Sequence, residues 1–198
     1  MFPRREAQRP RGATLIELIM FIVVVGAAVT GVLGAISYAT RASVDPMIQK
    51  QALAIAEAVL EEVQLMPFTY CDPDDANAAT ALDAAGCTGG AGGANDESRL
   101  PLSAEAGETR LSITTPYDNV SDYNVFNMAG GIVDIAGNAV PMPELAAYTA
   151  TVAVVGQALG GIAAGESLLV TVTVTHPSLN PGLVLHGYRV RYAPNALP

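Results

Sequence analysis

The chain has 198 residues, of which 51% are hydrophobic and 15% charged, and its formal net charge at pH 7 is −9. Such hydrophobicity excludes a wholly disordered chain, and 10 Lys and Arg against 19 Asp and Glu exclude a protein-wide basic surface for nucleic acid. The charges are unevenly distributed. They divide the sequence into a basic leader over residues 1–12, a stem over residues 13–66 and an acidic head over residues 67–198.

The N-terminal part of the chain predicts a membrane anchor. The leader carries four arginines and one glutamate, and residues 18–40 contain no charge at all. About 20 apolar residues suffice to cross a bilayer as a helix, whereas the apolar region of a secretory signal peptide is shorter. We therefore expect residues 13–40 to span the membrane. The arginines are expected to hold the N-terminus in the cytoplasm, with residues 41 onward on the other side.

Glu17 lies at the edge of this apolar run. An ionised carboxylate is costly there unless it finds a partner, so an acid in this position is a functional hypothesis by default. A plain anchor gives no reason for it.

The sequence around Glu17 resembles the signal of type IV prepilins. The residues are Arg11-Gly12-Ala13-Thr14-Leu15-Ile16-Glu17, a basic leader that ends in Gly and is followed by an apolar run with Glu at its fifth position. The resemblance implies that a prepilin peptidase cuts between Gly12 and Ala13 and methylates Ala13. It also implies that Glu17 pairs with the terminal amine of a neighbouring subunit in a filament. Ala in place of the Phe of many major pilins fits minor pilins and pseudopilins better.

The implied partners are the prepilin peptidase, the other pilins of the filament and an inner-membrane assembly platform. The implied location is the bacterial inner membrane, with the head in the periplasm, and later the pilus at the cell surface. No nucleic-acid partner and no cofactor are expected.

The second half of the stem predicts an amphipathic helix over residues 41–66. Its apolar residues recur at steps of three or four, the helical period: Ile48, Ala52, Ile55, Val59, Val63 and Met66. Asp45-Pro46 is either the start of a separate helix or a kink in one long helix over residues 13–66. For Gly26, Gly31 and Gly34 we favour close helix packing over local unwinding in a filament.

The head predicts a small antiparallel sheet packed on the amphipathic half of the stem, and hence an α+β, type IV pilin-like fold. Strand patterns occur at Thr109–Thr115, Tyr148–Val155, Leu168–Thr175 and Leu183–Tyr192. A loop is expected after Pro67, with a short helix over 76–85, and turns are expected at Gly137-Asn138 and at Asn180-Pro181-Gly182.

Parts of the head and stem are similar to minor pilins of the mannose-sensitive haemagglutinin (MSHA) pilus and of the related pilus-modification group. The similar segments are residues 117–124, Gly137-Asn138, the strand from Tyr148, residues 187–192 and the stem phrase of residues 45–62.

Two further features of the head bear on sites. Cys71 and Cys87 predict a disulfide in an oxidising compartment, with a metal pair or free thiols as the alternatives. Two acidic groups could bind calcium through oxygen ligands, although solvated turn residues are the favoured interpretation because neither group has EF-hand spacing. These groups are Asp72, Asp74 and Asp75, and Asp118 and Asp122.

Catalytic motifs of the common hydrolase, kinase and zinc-protease types do not occur in the sequence, so we do not expect an enzyme. The expected function is that of a structural minor pilin. The alternatives are a minor pseudopilin of type II secretion and an adhesive head carried on a pilus.

Overall fold

The computed structural model describes residues 14–135 and 142–197, with the side chains of all of these except residues 39–45. Helix α1 covers Leu15–Leu65, and strands β1, β2 and β3 cover Thr149–Gly156, Ser167–His176 and Leu179–Val190. A long N-terminal helix with a three-stranded antiparallel sheet makes the α+β fold that the sequence predicts. The chain divides after Val44 into two compact units.

The first unit presents an apolar helix with no cover. Residues Leu15–Tyr38 have a mean hydropathy of 2.6 and none of them is buried. This segment is long and apolar enough to cross a membrane. At Gly26, Gly31 and Gly34 a Cβ atom would meet nothing within 4 Å. The three glycines therefore leave shallow places on the helix where another backbone can approach closely.

The sheet of the second unit is a meander in the order β1-β2-β3, antiparallel throughout. Val172 at the centre of β2 lies opposite Val152 of β1 and Leu185 of β3. Strand β2 alternates buried and half-buried side chains over most of its length, as expected for a sheet with one face on a core.

The core forms where this sheet packs on the C-terminal part of α1. The predicted apolar stripe of the helix is buried from Ile48 to Val63, and Met66 is partly buried against the same cluster. From the sheet, the alternate residues Val170, Val172 and Val174 are fully buried in that cluster. Ala52 of the stripe and the adjacent Ala56 are also fully buried, and their small side chains let the rest of the core approach the helix.

Three local predictions about the fold were wrong. Residues 109–115 form turns and bends rather than a strand, and Ile113 within them is 99% exposed, so the alternation there has no partner. The segment Asn180-Pro181-Gly182 lies inside β3, and the chain reverses at Pro177-Ser178 instead. Residues 76–83 are mostly turns and bends, and a single 3₁₀ turn follows at Ala84–Gly86, so the predicted helix over 76–85 is reduced to that turn.

Of the two alternatives at Asp45-Pro46, one long helix is observed, because Pro46 lies inside α1 and no separate helix starts there. The predicted turn at Gly137-Asn138 falls outside the described residues.

Candidate functional sites

Glu17 lies in the first turn of α1. Its backbone N–H donates to the Thr14 side-chain oxygen over 3.3 Å, so Thr14 occupies the position of a helix cap. A carboxylate in this turn also interacts favourably with the positive end of the helix dipole. The predicted cleavage residues Gly12 and Ala13 lie outside the described residues.

The two cysteines form the predicted disulfide. The sulfur atoms of Cys71 and Cys87 are 2.07 Å apart and the Cα atoms 5.4 Å. Cys71 also pairs with Asp96 in an isolated antiparallel bridge, and the Glu97 N–H donates to the Tyr70 carbonyl over 3.0 Å. The disulfide therefore staples the loop next to a short backbone ladder, and that ladder fixes the position of the Glu97 side chain.

Six carboxylates of the head meet in two groups of three. Within each group, one oxygen from each residue lies within 4.8 Å of the other two. The inner triad is more deeply buried, with Glu97 2% and Asp122 1% exposed. The inner triad is Glu97, Glu105 and Asp122, and the outer triad is Asp72, Glu108 and Asp118.

The backbone holds Asp122 in the inner triad. Asp122 belongs to the 3₁₀ helix Val120–Tyr123, and one of its carboxylate oxygens accepts hydrogen bonds from the N–H groups of Asn119 at 2.7 Å and Asp118 at 2.9 Å. The Asn119 side chain in turn donates to the Thr69 hydroxyl, directly after the end of α1, over 2.6 Å. One oxygen of Asp122 thus has a structural role.

Each residue of the inner triad keeps an oxygen without a partner. Among the described residues, the buried oxygens Oε1 of Glu97, Oε2 of Glu105 and Oδ1 of Asp122 accept no hydrogen bond, and neither does Oδ1 of Asp118. The second oxygen of Glu97 accepts from the Ser121 hydroxyl. Buried polar atoms in proteins are almost always paired, so three such oxygens in one place need a physical explanation.

The raised pKa values of these carboxyl groups show that three ionised carboxylates are unfavourable in this arrangement. Burial, followed by the charges of Asp122 and Glu105, raises the pKa of Glu97 to about 10. Burial is also the first cause that raises the pKa of Asp122 to about 7, and Glu105 adds to it. In the outer triad, burial and neighbouring acids raise the pKa of Asp118 to about 7 and that of Glu108 to about 8.

The predicted acidic groups are only partly those that form. Asp72 and Asp118 meet in one triad although they are far apart in sequence, and Asp122 belongs to the other. Asp75 is instead a loop-stabilising residue that accepts bonds from Asn77 and Thr88. Burial acts to raise the pKa of Asp75, but these hydrogen bonds outweigh it and the pKa is lowered.

Asp74 is exposed and its N–H donates to Asp72, so it belongs to neither triad. Three of the triad acids could not be predicted from the sequence, because their spacing matches no local ligand motif: Glu97, Glu105 and Glu108.

Two buried arginines of the head are engaged away from the triads. Arg110 forms a two-pronged ion pair with Glu62 of α1, over 2.6 and 2.8 Å, and the Tyr123 hydroxyl donates to the same carboxylate. Arg191 is buried over the rings of Phe68 and Tyr70.

Together these features define an α+β protein with an apolar helix of membrane-spanning length and a disulfide-bonded head that holds a buried carboxylate cluster. No protein-family model, curated protein or solved structure matches the chain.

Proposed function

We propose that the chain is a minor subunit of a type IV pilus, made as a membrane-anchored precursor and assembled after its leader is removed. Cleavage falls between Gly12 and Ala13, the new N-terminus at Ala13 is methylated, and Glu17 pairs with the N-terminal amine of a neighbouring subunit.

The observation that carries this proposal is an uncovered apolar helix with one acid in its first turn. Residues Leu15–Tyr38 bury nothing within the chain, and so large an apolar surface requires a membrane or other subunits to cover it. Glu17 is the one charged residue of that segment. Once cleavage creates a cationic amine at Ala13, amine and carboxylate compensate each other between subunits in a medium of low dielectric constant.

Charge and cysteine chemistry support the orientation. Four arginines precede the helix, which favours a cytoplasmic N-terminus in the inner membrane. The Cys71–Cys87 disulfide is the chemistry of an oxidising compartment such as the periplasm. On the similarity of residues 45–62, 117–124 and 187–192 noted above, the pilus is of the MSHA kind.

The first experiment concerns processing. We expect mass spectrometry of the membrane-extracted chain to show an N-terminus at methylated Ala13 in cells with a prepilin peptidase. The uncut precursor is expected in cells without it. Cleavage at any other position contradicts the proposal.

The second experiment concerns assembly. Glu17→Ala is expected to insert in the membrane yet be lost from sheared filaments by about two to four orders of magnitude, since breaking such a pair costs ~3–5 kcal/mol. Glu57→Ala, an exposed acid further along α1, is the matched control and should assemble normally.

Normal assembly of Glu17→Ala would contradict the proposal. Recovery of the wild-type chain only from the periplasm, with processing intact, would instead indicate a type II secretion pseudopilin.

A further inference from the structure

We propose that the inner triad, Glu97, Glu105 and Asp122, binds one Ca²⁺ ion. This inference does not depend on the proposed assembly function, because it concerns the head alone. It starts from three carboxylates that come within 4.8 Å of one another and that each keep a buried oxygen accepting no hydrogen bond.

The depth of these oxygens makes solvent a poor partner. The Glu97 and Asp122 side chains are 2% and 1% exposed, and a buried carboxylate without a partner is strongly unfavourable. The two ion pairs formed among the described residues, Arg110–Glu62 and Arg191–Glu166, do not involve the triad. Something other than a described Lys or Arg must therefore compensate the triad: a proton shared between carboxyl groups, or a bound cation.

The ligand atoms favour a hard cation. Carboxylate oxygens suit Ca²⁺, Mg²⁺ or Mn²⁺, whereas zinc prefers nitrogen and sulfur ligands. Both cysteines are in the disulfide. The ring of His176 contacts that of Tyr148, and His186 bonds to Thr171.

The looser coordination of Ca²⁺ favours it among the hard cations. The triad carboxylates come within 4.8 Å of one another, close enough to share one ion. Ca²⁺ accepts bidentate carboxylates and an irregular shell of six to eight oxygens that includes water. Three loop carboxylates meet this demand more easily than the strict octahedron of Mg²⁺.

The outer triad increases the attraction for a cation. Its acids interact electrostatically with those of the inner triad, as when the charge of Asp72 acts on Glu105 and that of Asp118 on Asp122. The Glu105 N–H also donates to the Glu108 carboxylate over 3.3 Å. The outer acids therefore lower the potential at the ion without supplying its ligands.

A bound ion would join three loop segments. Glu97 follows the ladder beside the disulfide, Glu105 lies in the next loop, and Asp122 lies in the 3₁₀ helix whose Val120 N–H donates to the Pro67 carbonyl over 3.1 Å. Residues 97–122 would then be fixed to the region just after α1. The expected consequence is a head that is more stable with Ca²⁺ than without it.

The experiment uses the full chain purified in detergent, stripped of metal with EDTA and exchanged into metal-free buffer at pH 7.5. CaCl₂ is titrated by calorimetry, and thermal unfolding is followed by near-UV circular dichroism. We expect one site per chain with a Kd on the order of 10⁻⁴ M or tighter. At 100 times Kd the melting temperature should rise by about 5–10 °C. MgCl₂ at the same ionic strength should give less than a third of that rise.

The variants Glu97→Gln and Glu105→Gln separate ligation from folding. Each removes a ligand charge while keeping the side-chain shape, so each should weaken Ca²⁺ binding at least tenfold. Neither should lower the melting temperature in EDTA, because each Gln keeps the side-chain size and adds no charge to the buried cluster. Asp74→Asn, an exposed acid outside both triads, is the matched control and should bind Ca²⁺ as the wild type does.

Equal effects of Ca²⁺ and Mg²⁺ on the wild type would overturn the inference, and so would the absence of any effect of Ca²⁺. The second result would assign the triad to a shared proton. Wild-type Ca²⁺ affinity in both Gln variants would overturn it as well.

Discussion

The Glu62–Arg110 ion pair ties the loops of the head to α1, and we expect its removal to be costly. The two side chains are 14% and 7% exposed and make two charge-assisted hydrogen bonds. Glu62→Gln leaves the guanidinium of Arg110 buried without its counter-charge. Breaking one partner of a buried pair costs ~3–5 kcal/mol, whereas an exposed pair contributes ~0–1 kcal/mol.

The structure favours the lower end of that range. In the variant, Arg110 still donates to the carbonyls of Val133 at 3.2 Å and Asp134 at 3.3 Å, and it still lies over the Phe126 ring. We therefore expect a loss of ~3 kcal/mol. For a domain of the size of the second unit, this corresponds to a fall of about 6–12 °C in melting temperature.

A double-mutant cycle separates the pair from its surroundings. Thermal and urea unfolding of the full chain in detergent are compared for Glu62→Gln, Arg110→Met and the double variant. We expect a coupling energy of ~2–3 kcal/mol that changes little in 0.5 M salt, because a buried pair is weakly screened. Glu61→Gln, at an exposed neighbour, should change stability by less than ~0.5 kcal/mol. A coupling energy below ~1 kcal/mol would show that the pair behaves like a surface pair, against the reasoning.

Three further predictions concern the head. Replacing both Cys71 and Cys87 by Ala should lower the free energy of unfolding by ~3 kcal/mol, and the stability of the variant should not depend on reductant. Urea titrations with and without reductant measure both effects. A urea midpoint equal to that of the wild type would contradict the prediction. In EDTA, the melting temperature should fall as the pH is raised from 4.5 to 8. Groups such as Asp122, whose pKa in the folded state is raised to about 7, hold their protons more tightly in the folded than in the unfolded chain, so folding loses stability as they ionise. A melting temperature that rises over this pH range would contradict the prediction. Gly156→Ala should cost at least ~1 kcal/mol, because its Cβ would lie 2.7 Å from the backbone oxygen of Ala164; a neutral result in thermal unfolding would show that this turn can shift.

The apolar stripe of α1 and the alternation in β2 could be predicted from the sequence. Each element buries one face, and a single buried face makes apolar residues recur with the period of the helix or of the strand. Residues 168–174 alternate with period two, and the structure buries the even-numbered members. The same reasoning failed at residues 109–115, because alternation predicts a strand only where a partner strand exists. It also failed at Asn180-Pro181-Gly182, where the pairing of β2 with β3 outweighs local turn preference.

The carboxylate triads could not be predicted from sequence because their members are brought together by long-range contacts. Glu97 is placed by the ladder with Tyr70, and Asp122 by its capping of the 3₁₀ helix. A coarser signal was nevertheless present. Between residues 67 and 122 there are ten acids and two bases, Arg99 and Arg110. Arg110 is taken by the stem, which leaves Arg99 alone, and it is exposed.

A loop region with that excess of negative charge must either spread its acids into solvent or bring a positive charge from elsewhere. In this head the disulfide and the backbone ladder hold some of the acids inside the fold. Glu97 and Asp122 are therefore buried and cannot extend into solvent. The excess of acids over bases therefore predicts that the folded head takes up protons or cations. Only the fold determines which three oxygens do so.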